Sequence, residues 1–363
     1  MAGKFAPKRG EKLSLSSCIK MIDGYTMPRF GIGAWDMRGS ECRTALLNAL
    51  DKAGYRHVDT ARYYRNEEAC GQAVRECSVP RSEIFYTTKV YLNEMGGGSI
   101  TRNAVEDSLS KSGLDYLDLV LLHAPDGGIK FRLDSWATIT ELVQEGKIRS
   151  LGVSNFGPQH IRELLDSKPK VLPVVNQVEL HPFFAQKELR KACEKEGIIV
   201  QAYCPLARGR YYGNETLVKV AKETGKTEAQ VMLRWLVQSG IVALPKSANP
   251  QRQVENAECL SFELSSEQMQ GKKTNTKAPL FAMLYDRRLL TQDDSCILEP
   301  SDVNIEQNST PWIEETKGGS RFSLRVSTAI EQAPLQPQRM NHVFLKRDEI
   351  AVCDELLEMQ IRS

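Results

Sequence analysis

A chain of 363 residues is longer than most single domains and fits either two domains or one large α/β barrel with an appendage. Its 41% hydrophobic and 26% charged residues exclude collagen, a wholly disordered chain and a membrane bundle. Lys plus Arg number 48 against 46 Asp plus Glu, a net charge of +2, so no strong field draws nucleic acid or anionic lipid, and neither is expected as a partner.

Residues 1–12 read as a charged tail without the apolar run of a secretory signal. No apolar stretch reaches the roughly 18 residues of a transmembrane helix. Residues 13–22 alternate, Asp23-Gly24 signals a turn, and Tyr25 opens a second run. This predicts a β-hairpin placed to plug the bottom of a barrel. Short apolar runs follow at 29–35, 55–60, 84–90, 117–123, 148–154, 174–180, 198–205 and 241–245. They are β-branched, aromatic and nearly continuous in hydrophobicity, as strands buried on both faces are. Between them, 41–53, 67–76, 100–112, 132–145, 157–166, 186–196 and 227–238 carry apolar residues three and four apart, the helical spacing. Gly54, Gly113, Gly146 and Gly197 sit just past four of these helices, where a left-handed cap is wanted.

Eight strands alternating with helices predict an α/β fold, a (β/α)8 TIM barrel over residues 13–270. An open doubly wound sheet would carry G-x-G-x-x-G after its first strand. Only Gly31-Ile32-Gly33 is present, with Asp36 where the third glycine belongs. After residue 270 the alternation dissolves into polar stretches. Residues 271–363 therefore read as a divergent, weakly ordered C-terminal extension with one helix-like segment at 348–359. Nine cysteines, an odd number without a C-x-x-C pair, predict reduced thiols in the cytoplasm and no zinc site.

In a barrel of this kind, chemistry sits at the C-terminal ends of the strands. Here those ends carry Asp59, Lys89, His123, Ser154 with Asn155, Gln177 with Glu179, Tyr203, and Lys246 with Ser247. Burying unpaired ions costs several kcal/mol, so a purely structural barrel has no need of this set. Tyr64 lies five residues after Asp59, on the loop leaving the second strand. An ammonium beside a tyrosine hydroxyl favours the phenolate and lowers a pKa that is ordinarily about 10. A carboxylate beside the lysine keeps it charged. A histidine can hydrogen-bond a substrate oxygen. Asp59, Tyr64, Lys89 and His123 therefore form a coherent general-acid assembly for protonating a developing alkoxide. At the last strand, Asn249-Pro250 is a cap and first-turn pair. With Lys246 and Ser247 before it and Arg252 in the first turn, it predicts an anion site.

Asp59-Thr60-Ala61-Arg62-Tyr63-Tyr64-Arg65-Asn66-Glu67 resembles the D-T-A-x-x-Y-x-N-E signature of the aldo-keto reductases. Gly31–Trp35, Thr88-Lys89-Val90, Leu122-His123-Ala124-Pro125, Gly152–Phe156, Asn176–Glu179, Ala202–Leu206 and Leu244–Ser247 resemble the family in the same order, across roughly 13–269. The resemblance implies reversible, NADPH-dependent reduction of aldehydes or ketones by a cytoplasmic monomer, with a small-molecule carbonyl or alcohol as the partner. Tyr64 is implied as proton donor, tuned by Lys89 and Asp59, with His123 and Trp35 at the substrate. Ser154, Asn155 and Gln177 are implied to hold the nicotinamide carboxamide and Tyr203 to stack on the ring, with Pro205 and Leu206 following in the cofactor loop. Lys246, Ser247 and Arg252 are implied at the 2′-phosphate, and Glu255 and Asn256 at the adenine. A short loop at 126–131 and a compact loop after Tyr203 resemble the small, broadly acting members.

Bland readings accompany these. Tyr63 is expected to pack, His57 to be structural, His181 to shape its loop, and Cys204 to be no nucleophile for want of a paired base. Arg208 and Arg210 fit a solvated loop or a cofactor lid equally. Two rival functions are a non-catalytic NADPH-binding partner or sensor and, more remotely, a metal-dependent hydrolase using His57, Asp59, His123 and His181.

Overall fold

The eight apolar runs form one parallel sheet: β3 (Ile32–Gly33), β4 (His57–Asp59), β5 (Phe85–Val90), β6 (Leu117–Leu122), β7 (Ile148–Ser154), β8 (Val175–Glu179), β9 (Ile199–Tyr203) and β10 (Val242–Ala243), each paired with the next. The sheet closes on itself. Gly31 N–H donates to Ala243 O (3.0 Å), Gly33 N–H donates to Pro245 O (3.0 Å), and Phe30 bridges Ala243 in parallel. The (β/α)8 barrel expected from the alternation is therefore present. A computed structural model describes residues 4–270 of the chain. The extension expected at 271–363, with its helix at 348–359, lies outside the described residues.

The hairpin is β1 (Cys18–Lys20) and β2 (Thr26–Pro28), antiparallel, with Ile19 opposite Met27. Ile19, Met21 and Met27 pack with Phe85, Leu119, Leu121, Val175, Ile199 and Val242, and this cluster is the barrel floor. The tail before the hairpin is not a free arm: Phe5 packs on the same cluster, and Arg29 donates to its carbonyl (2.8 Å).

Successive side chains of a strand alternate faces, so residues two apart share the barrel interior. Val175, Gln177 and Glu179 are one such series; Ile199, Gln201 and Tyr203 are another. Each runs from apolar at the floor to polar at the mouth. The opposite faces, including Tyr86, Val120, Leu151 and Val200, pack with Leu46, Cys70, Val105, Ile139 and Leu236 from the surrounding helices.

Those helices are α1 (Gly39–Leu47), α2 (Glu67–Glu76), α3 (Gly98–Ser112), α4 (Gly128–Gln144), α5 (Pro158–Asp166), α6 (Lys187–Lys195), α7 (Glu215–Thr224), α8 (Glu228–Gln238), α9 (Pro250–Ala257) and α10 (Ser266–Gln270). Among the described residues no helix is long and apolar enough to cross a membrane. All four expected cap glycines have positive φ. Gly113 ends α3 at φ +63°, and its N–H donates to Leu109 O (2.8 Å). Gly71 answers to a different constraint: a Cβ there would lie 2.0 Å from Ser112 O, so only glycine lets α2 approach α3.

His57 is structural, as expected. Its ring is fully buried, with Nε2 3.1 Å from Thr87 Oγ1, and burial pushes its pKa down to about 4 against the pull of Asp59. An unfolded histidine titrates near 6.5. Between about 6.5 and about 4 the unfolded chain takes up a proton that the folded chain refuses, so stability falls as pH drops through this window. We expect a lower Tm at pH 5 than at pH 7, measured by calorimetry, and a smaller difference in His57→Gln. An identical difference in the variant would remove His57 as its source.

Candidate active site

Nearly every polar residue of the 59–67 segment has a local task that fixes Tyr64. The segment leaves β4 and makes a 3-10 turn, Arg62–Tyr64, that ends at Arg65 in the left-handed region. Asn66 donates to Ala34 O (2.8 Å) and Met37 O (2.9 Å) and accepts from Thr60 Oγ1 (2.6 Å). It thereby ties the turn to the loop after β3. Glu67 Oε1 accepts from Thr88 Oγ1 on β5 (2.5 Å). Arg62 donates to Glu94 (2.7 Å) and Asp107 (2.8 Å). Burial alone would lower its pKa, but these carboxylates raise it, so it is a permanent cationic clamp. The sequence reading missed Arg62 because its partners lie 32 and 45 residues away.

Four expected residues come together at the mouth. Lys89 is buried and uses all three ammonium protons: to Asp59 Oδ1 (2.7 Å), Thr60 O (2.8 Å) and Tyr64 Oη (3.3 Å). Burial disfavours its charge, but Asp59 and Tyr64 outweigh this and raise its pKa. The expectation that Lys89 leaves Tyr64 more acidic than usual is not met. Desolvation raises the Tyr64 pKa; Lys89 opposes it, and Asp59 cancels part of that opposition. Tyr64 is thus a neutral hydroxyl at physiological pH, with an ammonium at its oxygen to stabilise the phenolate left by proton loss. The His123 ring lies 5.9 Å from the Tyr64 ring, and burial and then the Lys89 charge lower its pKa to about 3. A neutral imidazole can donate a hydrogen bond to an oxygen without competing as the acid.

Below this group a chain of hydrogen bonds runs to the floor. Gln177 Nε2 donates to Asp59 Oδ2 (2.7 Å) and Gln201 Oε1 (2.9 Å), and Gln201 Nε2 lies 2.9 Å from Met27 Sδ. Both amide protons of Gln177 are committed, which leaves its Oε1 as the group for a ligand. Ser154 Oγ donates to Gln177 O (2.9 Å). Asn155, at φ +61°, donates to His123 O (3.0 Å) and accepts from Tyr203 Oη (3.0 Å). Ser154, Asn155, Gln177 and Tyr203 therefore form one connected shelf beside the acid. Gln201 went unrecognised in sequence because a glutamine within a strand carries no motif.

Trp35 lies edge-on to Tyr64, 4.8 Å between centroids. Tyr63 packs as expected, at the mouth rather than in the core: it is 48% exposed and stacks on Trp35 and on Tyr91. His181 Nε2 is 3.7 Å from Glu179 and its ring packs on Tyr211, so it shapes the loop after β8 as expected. The Cys204 thiol is pushed up by burial and by Glu179, against Arg208, and stays protonated. Among the described residues no three His, Cys, Asp or Glu side chains gather to hold a metal, and the residues of the hydrolase reading are dispersed.

A second expected group lines a cleft of about 610 Å3: Leu206, Lys246, Ser247, Arg252, Glu255 and Asn256, joined by Tyr212. Pro205 is buried and does not line it. The helix-terminus argument changes here. Asn249 Oδ1 already accepts from Gln251 N–H (2.9 Å) and Arg252 N–H (3.1 Å), so the cationic side chains carry the attraction for an anion. Gln253, unnoticed in sequence, fixes the cleft by donating to Ala45 O and Ser247 O (both 2.9 Å) from a buried position. A charged cleft at one end and a neutral hydroxyl with a polar shelf at the other fit a phosphorylated dinucleotide.

The Aldo/keto reductase family profile matches residues 27–273. Glyoxal reductase of Bacillus subtilis is 44% identical over 256 residues, covering 70% of this chain and 91% of that protein. The 9,11-endoperoxide prostaglandin H2 reductase of Trypanosoma cruzi is 43% identical over 257 residues, covering 70% and 89%. Among solved structures, a Gox0644 mutant in complex with NADPH aligns with a TM-score of 0.66 at 38% identity, covering 70% of this chain and 91% of that one.

Proposed function

This chain belongs to the aldo/keto reductase family, and we propose from that premise how its residues divide the work. It is an NADP-dependent oxidoreductase that reduces carbonyl groups, with residues 13–270 as the catalytic domain. Bound NADPH supplies the hydride that adds to the carbonyl carbon. Tyr64 donates its proton to the carbonyl oxygen as charge develops there. Lys89, held by Asp59, stabilises the resulting phenolate. Neutral His123 hydrogen-bonds the same oxygen and orients it, and Trp35 lines the substrate side. Ser154, Asn155 and Gln177 hold the carboxamide, and Tyr203 lies against the nicotinamide. Pro205 and Leu206 support the cofactor loop. Lys246, Ser247 and Arg252 take the 2′-phosphate, with Glu255 and Asn256 at the adenine.

The observation that carries this reading is the ammonium of Lys89 between Asp59 (2.7 Å) and Tyr64 Oη (3.3 Å), beside an uncharged histidine. Consumption of NADPH by the full chain with a panel of simple aldehydes tests it. Turnover is expected. Tight NADPH binding with no turnover on any carbonyl would favour the non-catalytic reading instead.

The cleft predicts cofactor choice. A hydrogen bond to a charged group contributes about 1.5–3 kcal/mol. Arg252→Ala is therefore expected to raise KM for NADPH by about ten- to a hundredfold and leave KM for NADH nearly unchanged. Equal effects on both in steady-state kinetics would move the 2′-phosphate elsewhere. We also propose a cytoplasmic monomer; the free thiols of the seven described cysteines support the reducing compartment.

A further inference from the structure

We propose that Cys42 and Cys70 form a redox site: a hydroperoxide joins them in a disulfide, which draws α1 toward α2 and loosens the cofactor cleft. The effect on the cleft rests on the reading that Lys246, Ser247 and Arg252 hold the phosphate of NADPH.

The two thiols come from neighbouring helices, 28 residues apart in sequence, and their sulfurs lie 3.6 Å apart in the core. The hydrogen bond with Cys70 lowers the Cys42 pKa against burial, whereas burial and then Cys42 push that of Cys70 well up. Cys42 is thus the thiol that ionises and attacks, and Cys70 the one that resolves. Cys42 sits in the first turn of α1, where residues 38–41 are exposed and Arg38, at the N-cap, gives no side-chain hydrogen bond. An uncapped turn opens at low cost and brings Cys42 to solvent. There its ionised sulfur attacks the terminal oxygen of the hydroperoxide. The O–O bond breaks, the departing alkoxide takes up a proton, and Cys42 becomes a sulfenic acid. The Cys70 sulfur then displaces that oxygen, which leaves as water with the Cys70 proton. The sulfurs have lost an electron pair to the hydroperoxide, and small thiols return it by exchange.

A disulfide bond is about 2.05 Å long, so oxidation draws the sulfurs about 1.5 Å closer. Helix α2 is anchored: Glu67 accepts from Thr88 Oγ1 on β5 (2.5 Å), and Arg75 donates to Ser112 O at the end of α3. The movement therefore falls on α1. This helix follows β3, which lies between β10 and β4 in the closed sheet, so α9 flanks it on one side and α2 on the other. Gln253 of α9 reaches across. It accepts from Asn48 Nδ2 at the end of α1 (2.6 Å) and donates to Ala45 O of α1 and to Ser247 O (both 2.9 Å). One amide thus ties α1 to the wall of the cleft. Drawing α1 toward α2 pulls on Gln253, and the spacing of Ser247 and Arg252 that it fixes is lost.

The test treats the full chain with hydrogen peroxide. One portion is unfolded, alkylated and mapped by mass spectrometry; another is titrated with NADPH by fluorescence. A peptide pair linked through Cys42 and Cys70 is expected. Kd for NADPH is expected to rise about tenfold, within the usual range of coupling between sites, and to return with dithiothreitol. Cys42→Ala and Cys70→Ala are each expected to keep the same Kd before and after peroxide. Alkylation of both Cys42 and Cys70, under conditions that oxidise the exposed Cys18, overturns the inference. So does a linked pair that leaves Kd unchanged while Arg252→Ala raises it. An unchanged Kd in Arg252→Ala instead sinks the reading of the cleft beneath it.

Discussion

Turnover of Tyr64→Phe falls at least about a hundredfold, the low end of what a positioned general acid contributes. Phenylalanine keeps the ring that lies edge-on to Trp35, so the loss isolates the hydroxyl. KM for NADPH changes little, because the cleft residues that line the far end are untouched. The expectation follows from the electrostatics. Desolvation keeps Tyr64 protonated, while Lys89 at 3.3 Å stabilises the anion only once the proton has left. Near-normal aldehyde reduction by the variant, in steady-state assays, would end the assignment.

Lys89→Met damages both stability and turnover. The lysine is buried, and its pair with Asp59 is buried with it. Removing one partner of such a pair costs about 3–5 kcal/mol, because the remaining charge is left without its counter-ion. Asp59 retains only the Gln177 amide as a donor of those described here. Urea denaturation of Lys89→Met should show that loss. The double variant Lys89→Met with Asp59→Asn should recover part of the stability and none of the turnover, since the phenolate still lacks its ammonium. Recovery of turnover in the double variant would mean that Lys89 serves folding alone.

Much of this was legible in the sequence because the signals were local or repeated. The 59–67 segment holds a turn, its clamp and its acid within nine residues, and eight apolar runs separated by helical spacing specify a closed parallel barrel. Boundaries were less legible. The run at 29–35 yields only β3 (Ile32–Gly33), because the rest of it makes the closing bonds to 243–245 and the turn carrying Trp35. Helix α7, with four charged residues in its ten, was hidden by its polar face. Gln201, Gln253 and Arg62 act through partners distant in sequence, which spacing cannot reveal. Tyr63 packs as its place beside the acid suggests, but its partners, Trp35 and Tyr91, come from loops distant in sequence and are visible only in the fold. The Tyr64 pKa direction also depended on three dimensions, since desolvation and the compensating carboxylate are properties of the assembled site.

The central claim is that Tyr64 and His123 share one substrate oxygen beside the Lys89 ammonium. A crystal structure with oxidised cofactor and an unreactive carbonyl analogue tests it most directly. The account predicts that the carbonyl oxygen lies about 2.6–3.2 Å from both Tyr64 Oη and a His123 ring nitrogen, the reach a proton donor needs. An oxygen that touches neither, with the analogue well ordered elsewhere in the mouth, would contradict it.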